Sequence, residues 1–310
     1  MGGTRIRSAR AEPLEFALPV PFETSQARRD RARNVLITVE LESGACGIGE
    51  AAPAPHVTGE RPEETLQILQ AFAANLVGAD AARYRAVSAK FQALHPAAHA
   101  ARAGLEMALL DAYCRHLGAP LFQFLGGACS QVITDVTIPI VPPEEAAQAA
   151  QAAFARGFTD LKVKIGAGEA DRERVLAVAA AAPGARVRLD GNQGLTAAAA
   201  VRLLAEVQRA GVNVVLFEQP LPRHDLEGAR MVRQQISVPL ALDESVLSPQ
   251  DAWEVARRGA ADVVNIKLMK SGLLGALEII GVCRAAGLRL MLGCMLESRH
   301  EPIPSEIRTI

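Results

Sequence analysis

Six charged residues stand where short apolar runs of the chain end. Lys164, Asp190, Glu218, Asp243 and Lys267 each close or follow such a run, at separations of 24 to 28 residues, and Lys162 lies two positions before Lys164. On a strand, residues two apart point to the same side, so Lys162-Val-Lys164 sets two like charges side by side. Taken alone, that triplet is more often a solvated strand face, and a lone acid after a strand is ordinarily a helix N-cap. Five such charges in register are harder to explain that way. Three carboxylates from successive strands form an all-oxygen set suited to a hard divalent cation, above all Mg²⁺, which keeps positions open for water and substrate. Removing a proton next to a carboxylate creates an enediolate, whose extra negative charge a cation can stabilise. The base is then a lysine. Its ordinary titration near ~10.4 is brought toward the useful range by cationic neighbours such as Lys162 and the metal. Lysines on either side of the metal, Lys164 and Lys267, would take a proton from one face and return one to the other, as a racemase or epimerase does.

These groups need a scaffold that gathers strand ends. Beyond Ile133, apolar runs recur at Val136–Val141, Leu161–Ile165, Val187–Leu189, Val214–Phe217, Leu240–Leu242, Val263–Ile266 and Leu288–Leu292, separated by Ala-rich helical stretches. Strand and helix in alternation imply right-handed βαβ units and a parallel sheet. Seven such units approach a (β/α)8 barrel, whose catalytic groups sit at the C-terminal strand ends. The N-terminal part reads differently. Arg33–Glu42 alternates, Ser43-Gly44 turns and Cys46–Glu50 follows, the pattern of an antiparallel meander. Pro19–Ser25 and Pro53–Gly59 are expected as loops because of their prolines, and apolar or aromatic loop residues such as Phe22 can close over a ligand. Helical periodicity begins at Pro62 and is strongest over Ala98–His116, ended by Gly118. The expected organisation is an α+β capping domain at 1–125, a barrel at 126–298 and an atypical tail at 299–310.

Composition narrows the class. A net charge of -1 argues against a nucleic-acid surface, and no run reaches the ~18 apolar residues of a membrane span. Five dispersed cysteines with no Cys-x-x-Cys spacing read as reduced thiols in a cytoplasmic protein.

Lys162-Val-Lys164, Asp190-Gly-Asn192, Phe217-Glu-Gln-Pro220, Asp243-Glu-Ser245 and Asn265-Ile-Lys-Leu-Met-Lys270, taken in order, resemble the enolase superfamily in its muconate lactonizing enzyme subgroup. Gly293-Cys-Met-Leu-Glu-Ser298 is most similar to the dipeptide (L-Ala-D/L-Glu) epimerases of that subgroup. The resemblance implies an α/β, enolase-like fold with a cap over the barrel. It implies Asp190, Glu218 and Asp243 as Mg²⁺ ligands, Lys164 and Lys267 as the acid/base pair, and Lys162 as an electrostatic aid near the substrate carboxylate. The substrate is then a small molecule, a dipeptide or related carboxylate, contacted by Phe22, His56, Thr137, Met295 and Glu297. Asn192 and Glu244 are either hydrogen-bonded supports of that site or, respectively, a turn residue and a helix cap. Other activities of the subgroup stay open: cycloisomerisation, o-succinylbenzoate-type dehydration and N-acylamino acid racemisation.

Two departures from the family pattern stand out. Ser271-Gly-Leu-Leu274 replaces Ser-Gly-Gly, and no Asp-x-Asp follows Ser298, where these epimerases hold the substrate's ammonium group on an eighth strand. Only twelve residues follow Ser298, while a parallel crossover needs a dozen or more before its strand begins. The expectation is a chain ended early by truncation or a frameshift, a barrel without its eighth strand, and open edges that favour a homo-oligomer. An inactive relative is the contrasting expectation.

Overall fold

The computed structural model describes residues 3–127, 132–166, 168 and 170–298. The first of its two sheets is an antiparallel meander of β1 (Ile6–Glu23), β2 (Arg28–Leu41) and β3 (Cys46–Ala51), in the order β1-β2-β3. Along β2, Val35, Ile37, Val39 and Leu41 are buried, the period of two that a sheet with one covered face requires.

The hairpin corrects one expectation. Where the prolines predict a loop over Pro19–Ser25, β1 continues to Glu23 and the turn is confined to residues 24–27. Proline cannot donate to a ladder, but β1 is the edge of its sheet, so the missing donors cost nothing on its outer side. The register slips between Ala17 and Phe22. The long arm reaches the second sheet, where Ile140 N donates to Glu23 O at 3.1 Å and the Ser25 hydroxyl donates to Asn192 O at 2.9 Å.

Four α-helices follow: α1 (Pro62–Ala73), α2 (Tyr84–Leu94), α3 (His99–Leu117) and α4 (Leu121–Phe124), with a 3-10 turn at Ala81–Arg83 between the first two. Helix α3 is buried on nearly every side, because it lies between the meander and the barrel. Its small residues Gly104, Ala108 and Ala112 recur every four positions and so share one face. That face rests on β3 at Gly47 and Gly49. A Cβ at Gly49 would stand 2.0 Å from Gly104 O, and one at Gly47 would stand 2.1 Å from Ala112 N. Asp111 Oδ2 accepts the Ile48 amide of β3 at 3.0 Å. The helix ends where the sequence predicts, at Gly118 with φ +66°.

The second sheet is parallel throughout. It comprises β4 (Val136–Ile138), β5 (Asp160–Lys164), β6 (Arg186–Asp190), β7 (Val214–Glu218), β8 (Leu240–Leu242), β9 (Val263–Ile266) and β10 (Arg289–Leu292), in sequence order across the sheet. Between them run α5 (Pro143–Ala155), α6 (Ala170–Ala181), α7 (Ala197–Arg209), α8 (Leu226–Gln235), α9 (Pro249–Arg258) and α10 (Leu268–Ala285). Strand residues such as Leu161, Val163, Leu189, Phe217 and Val264 pack with Ala146, Val175, Leu204, Val232 and Ile279 of the helices in one core. Among the described residues the barrel stays open between β10 and β4, as expected from seven units. The expected tail at 299–310 lies outside the described residues. No helix of the described residues is long and apolar enough to cross a membrane.

Candidate active site

Strands β5, β6 and β7 end at Lys164, Asp190 and Glu218, while Asp243 and Lys267 are the first residues beyond β8 and β9. Lys164 pairs in register with Asp190, and Asp190 with Glu218. Parallel pairing therefore sets these charges on one rim. Asp190, Glu218 and Asp243 are 0 % exposed, and Lys162, Lys164 and Lys267 are 5–9 % exposed. Burying so many ions costs several kcal/mol each, and apolar residues of similar volume would often serve stability as well. Such a cluster points to function.

The contacts form one network. Lys162 Nζ lies 2.7 Å from Asp190 Oδ2 and 2.8 Å from Glu218 Oε2. Lys164 Nζ donates to Asp190 Oδ2 and to Asn192 Oδ1, both at 2.7 Å. Lys267 Nζ lies 2.6 Å from Asp243 Oδ2. Asn192 Nδ2 continues the network to Glu244 Oε1 at 3.1 Å. Asn192, Gln193 and Gln219, just beyond β6 and β7, have positive φ values of 39°, 69° and 34°. Non-glycine residues seldom hold that conformation, and it concentrates at functional sites. Asn192 thus combines a turn conformation with side-chain bonds to both Lys164 and Glu244. Glu244 is no helix cap, because Ser248 caps α9.

Charge sets the protonation balance. Burial lowers the Lys164 ammonium against the pull of Asp190, with Lys162 and Lys267 adding to the fall. At Lys162 and Lys267 burial acts the same way, but the carboxylates outweigh it: Asp190 and Glu218 hold Lys162 well above its usual range, and Asp243 raises Lys267. Burial and then the neighbouring charges of Asp243 and Asp190 push Glu244 up to about 7. Glu218 is raised by burial and by repulsion from Asp190 and Asp243.

As they stand, no three acidic, histidine or cysteine side chains among the described residues form a metal-holding group. Ammonium groups bridge the carboxylates instead. The donor set nonetheless suits a hard cation: three carboxylates on one rim, mutual repulsion at Glu218, and a buried oxygen, Glu244 Oε2, that receives no hydrogen bond.

The remaining expected residues are placed unevenly. Thr137, half-buried on β4, pairs with Lys162. His56 lies in the loop after β3, 3.5 Å from the Arg29 guanidinium. The surrounding protein, then the charges of Arg29, Lys267 and Lys164, lower its imidazole to about 4, although His56 is exposed and solvent screens much of that effect. Phe22 is placed by its backbone alone, opposite Arg29; its side chain lies outside the described residues. Met295 packs against the core of the cap. Burial raises the Glu297 carboxyl, and its Oε2 has no hydrogen-bond partner. Next to it, Glu50 of β3 accepts the Ser298 amide at 2.9 Å and the Ser298 hydroxyl at 2.6 Å, so the Gly293–Ser298 segment is clamped to the meander.

Three contributors carry no role in the sequence reading. Asn265 Nδ2 donates to Glu218 Oε1 at 2.7 Å; it sits two residues before Lys267 on β9 and so shares that face. Gly293 leaves room where a Cβ would stand 2.7 Å from Asn265 Oδ1 and 3.0 Å from Lys267 Cε. The third is Lys270, the one charge in the otherwise uncharged run Leu268–Leu274.

Comparison with known proteins follows the same outline. Residues 8–126 match the family model of the mandelate racemase / muconate lactonizing enzyme N-terminal domain, and residues 144–305 match that of the enolase C-terminal domain-like family. The chain is 41 % identical over 297 residues to the aromatic dipeptide epimerase of Herpetosiphon aurantiacus, covering 95 % of this chain and 83 % of the relative. It is 34 % identical over 296 residues to the L-Ala-D/L-Glu epimerase of Thermotoga maritima, covering 95 % and 86 %. The dipeptide epimerase of Enterococcus faecalis, solved with Mg and the dipeptide L-Leu-L-Tyr, superposes with a TM-score of 0.91 at 34 % identity, covering 95 % of this chain and 83 % of that one.

Proposed function

Because the chain belongs to the mandelate racemase / muconate lactonizing enzyme family of the enolase superfamily, we propose that it is a Mg²⁺-dependent dipeptide epimerase. It is an isomerase, like the epimerases it resembles. The observation that carries the reading is the rim itself, where three fully buried carboxylates are flanked by Lys164 on β5 and by Lys267 beyond β9.

Asp190, Glu218 and Asp243 would hold the metal. When bound there, Mg²⁺ would offset the negative charge that develops on the substrate carboxylate as its α-proton leaves. The protein's own groups do the rest. Lys164 and Lys267 stand at different strand ends of the rim, so one takes the α-proton and the other delivers a proton to the opposite face. Lys162 adds a fixed positive charge beside the carboxylate. Asn192 orients Lys164 through its 2.7 Å bond, and Asn265 fixes Glu218. The loop that carries His56 would contact the distal part of the substrate. The names of the relatives, which span aromatic, hydrophobic and Ala-Glu dipeptides, set the substrate class to be screened.

The test is chiral analysis of a dipeptide library incubated with the protein and Mg²⁺. A dipeptide epimerase brings each epimer of a substrate pair to the same final mixture. A lactone, a dehydrated product or an unchanged library would refute the proposal.

A further inference from the structure

The most completely buried cation of the site neighbourhood is Lys270, at 1 % exposure. Its ammonium has three hydrogens and the structure uses all of them: Nζ donates to Asp243 O at 2.5 Å, to Asp243 Oδ1 at 2.7 Å and to Asn265 O at 2.9 Å. Asp243 is further held by its own amide, which donates to Gln219 Oε1 at 2.9 Å. One oxygen of the Asp243 carboxylate is therefore fixed by Lys270, and the other, Oδ2, is turned to the rim beside Lys267.

Lys270 is itself held from the cap. His99 Nδ1 donates to Lys270 O at 2.7 Å, Arg102 donates to Ser271 O, and Glu106 Oε2 accepts the Leu274 amide at 3.0 Å. These three residues of α3 grip three backbone groups at the start of α10. Between them, Gly272 has φ +69° and interrupts the helix, so the first turn of α10 is a separate piece.

We infer that Lys270 is a positioning residue through which cap helix α3 sets the orientation of Asp243 for metal binding. The inference rests on the proposed metal role of Asp243 and adds a partner that defines which carboxylate oxygen faces the metal. Groups that hydrogen-bond to metal ligands commonly change affinity by about 10- to 100-fold when removed. The cap thus contributes to the metal site through Lys270 as well as covering it.

The experiment is Mg²⁺ calorimetry on the folded wild-type chain, Lys270→Met, His99→Leu, His99→Gln and Asp243→Asn, with circular dichroism as the folding check. Wild type binds, Asp243→Asn abolishes the signal, and Lys270→Met weakens Mg²⁺ by about 10-fold or more. His99→Leu, which leaves the rim intact, weakens Mg²⁺ by a smaller factor, and His99→Gln, which keeps a donor for Lys270 O, restores it. The His99 pair carries the test if Lys270→Met fails to fold, because a purely structural contribution of Lys270 would leave metal affinity unchanged in both. Wild-type binding with unaltered affinity in Lys270→Met, or in His99→Leu where the Lys270 variant is unfolded, overturns the inference alone. No Mg²⁺ binding by wild type refutes the metal reading, and the role of Lys270 with it.

Discussion

Replacing Gly49 with alanine is expected to part α3 from β3 and to disturb the active rim from the far side of the helix. The added Cβ would stand 2.0 Å from Gly104 O and 2.7 Å from Ala108 N, both backbone atoms that no rotamer change can move. Non-bonded heavy atoms settle at about 3.5 Å, so α3 must retreat by about 1 Å or more, and a gap of that size forfeits a quarter to a half of each dispersion contact. Overpacking of this kind costs about 1–3 kcal/mol. The upper end applies here, because α3 is buried on nearly all sides and has little room to relax. The shift should also weaken the hold of His99 and Arg102 on Lys270 and Ser271. Urea denaturation is the assay. Gly44→Ala is the control, since its φ of +86° imposes strain but no atom lies within 4 Å; that strain costs about 1 kcal/mol. If Gly49→Ala unfolds at the wild-type midpoint, or is destabilised no more than Gly44→Ala, the close approach of helix and strand is not the constraint described.

Further outcomes can be checked independently. Lys164→Met and Lys267→Met should each reduce epimerisation by at least about 10²-fold, the usual minimum share of a general acid or base; steady-state kinetics at wild-type levels in either variant would remove that lysine from the mechanism. Glu50→Ala should free the Ser298 amide and hydroxyl and leave the Asn34 amide without its 2.5 Å partner. It should cost about 1–3 kcal/mol and raise hydrogen exchange over Gly293–Ser298. His56, held at about 4 in the folded chain against 6.5 as its ordinary value, has a depressed folded-state value. The unfolded chain therefore binds the proton first as pH falls. Its contribution to stability is complete above pH 6.5 and is lost as pH drops toward 4, so between pH 7 and pH 4.5 wild type should lose slightly more stability than His56→Asn, the solvent exposure of the side chain keeping the difference small. An imidazole titrating by NMR near 6.5 would contradict this.

The ends of β5 to β9 were legible because each joins an apolar run to one charge, and a parallel barrel leaves few other places for five such charges. The meander and α3 were legible for similar reasons of period. The hairpin arm was not, since Pro19 and Pro21 break a central strand but not an edge, and edge position is a property of the assembled sheet. The start of α3 carries no local cap; Glu60, forty residues earlier, accepts the Ala100 and Ala101 amides at 2.7 and 3.3 Å. Lys270 shows in sequence only as a charge within an apolar stretch. Its partners Asp243 and Asn265 come from two other strand ends, and its brace His99 comes from the cap.

The central claim is that this rim moves a proton on the α-carbon of a dipeptide. The most direct measurement is proton NMR of a dipeptide library with the protein and Mg²⁺ in D₂O. Loss of the α-proton signal is expected for at least one dipeptide, dependent on Mg²⁺, and with Lys164→Ala the loss should disappear for the epimer whose α-proton Lys164 removes. Absence of exchange across the library, or exchange of both epimers that persists in Lys164→Ala at the wild-type rate, would contradict that claim.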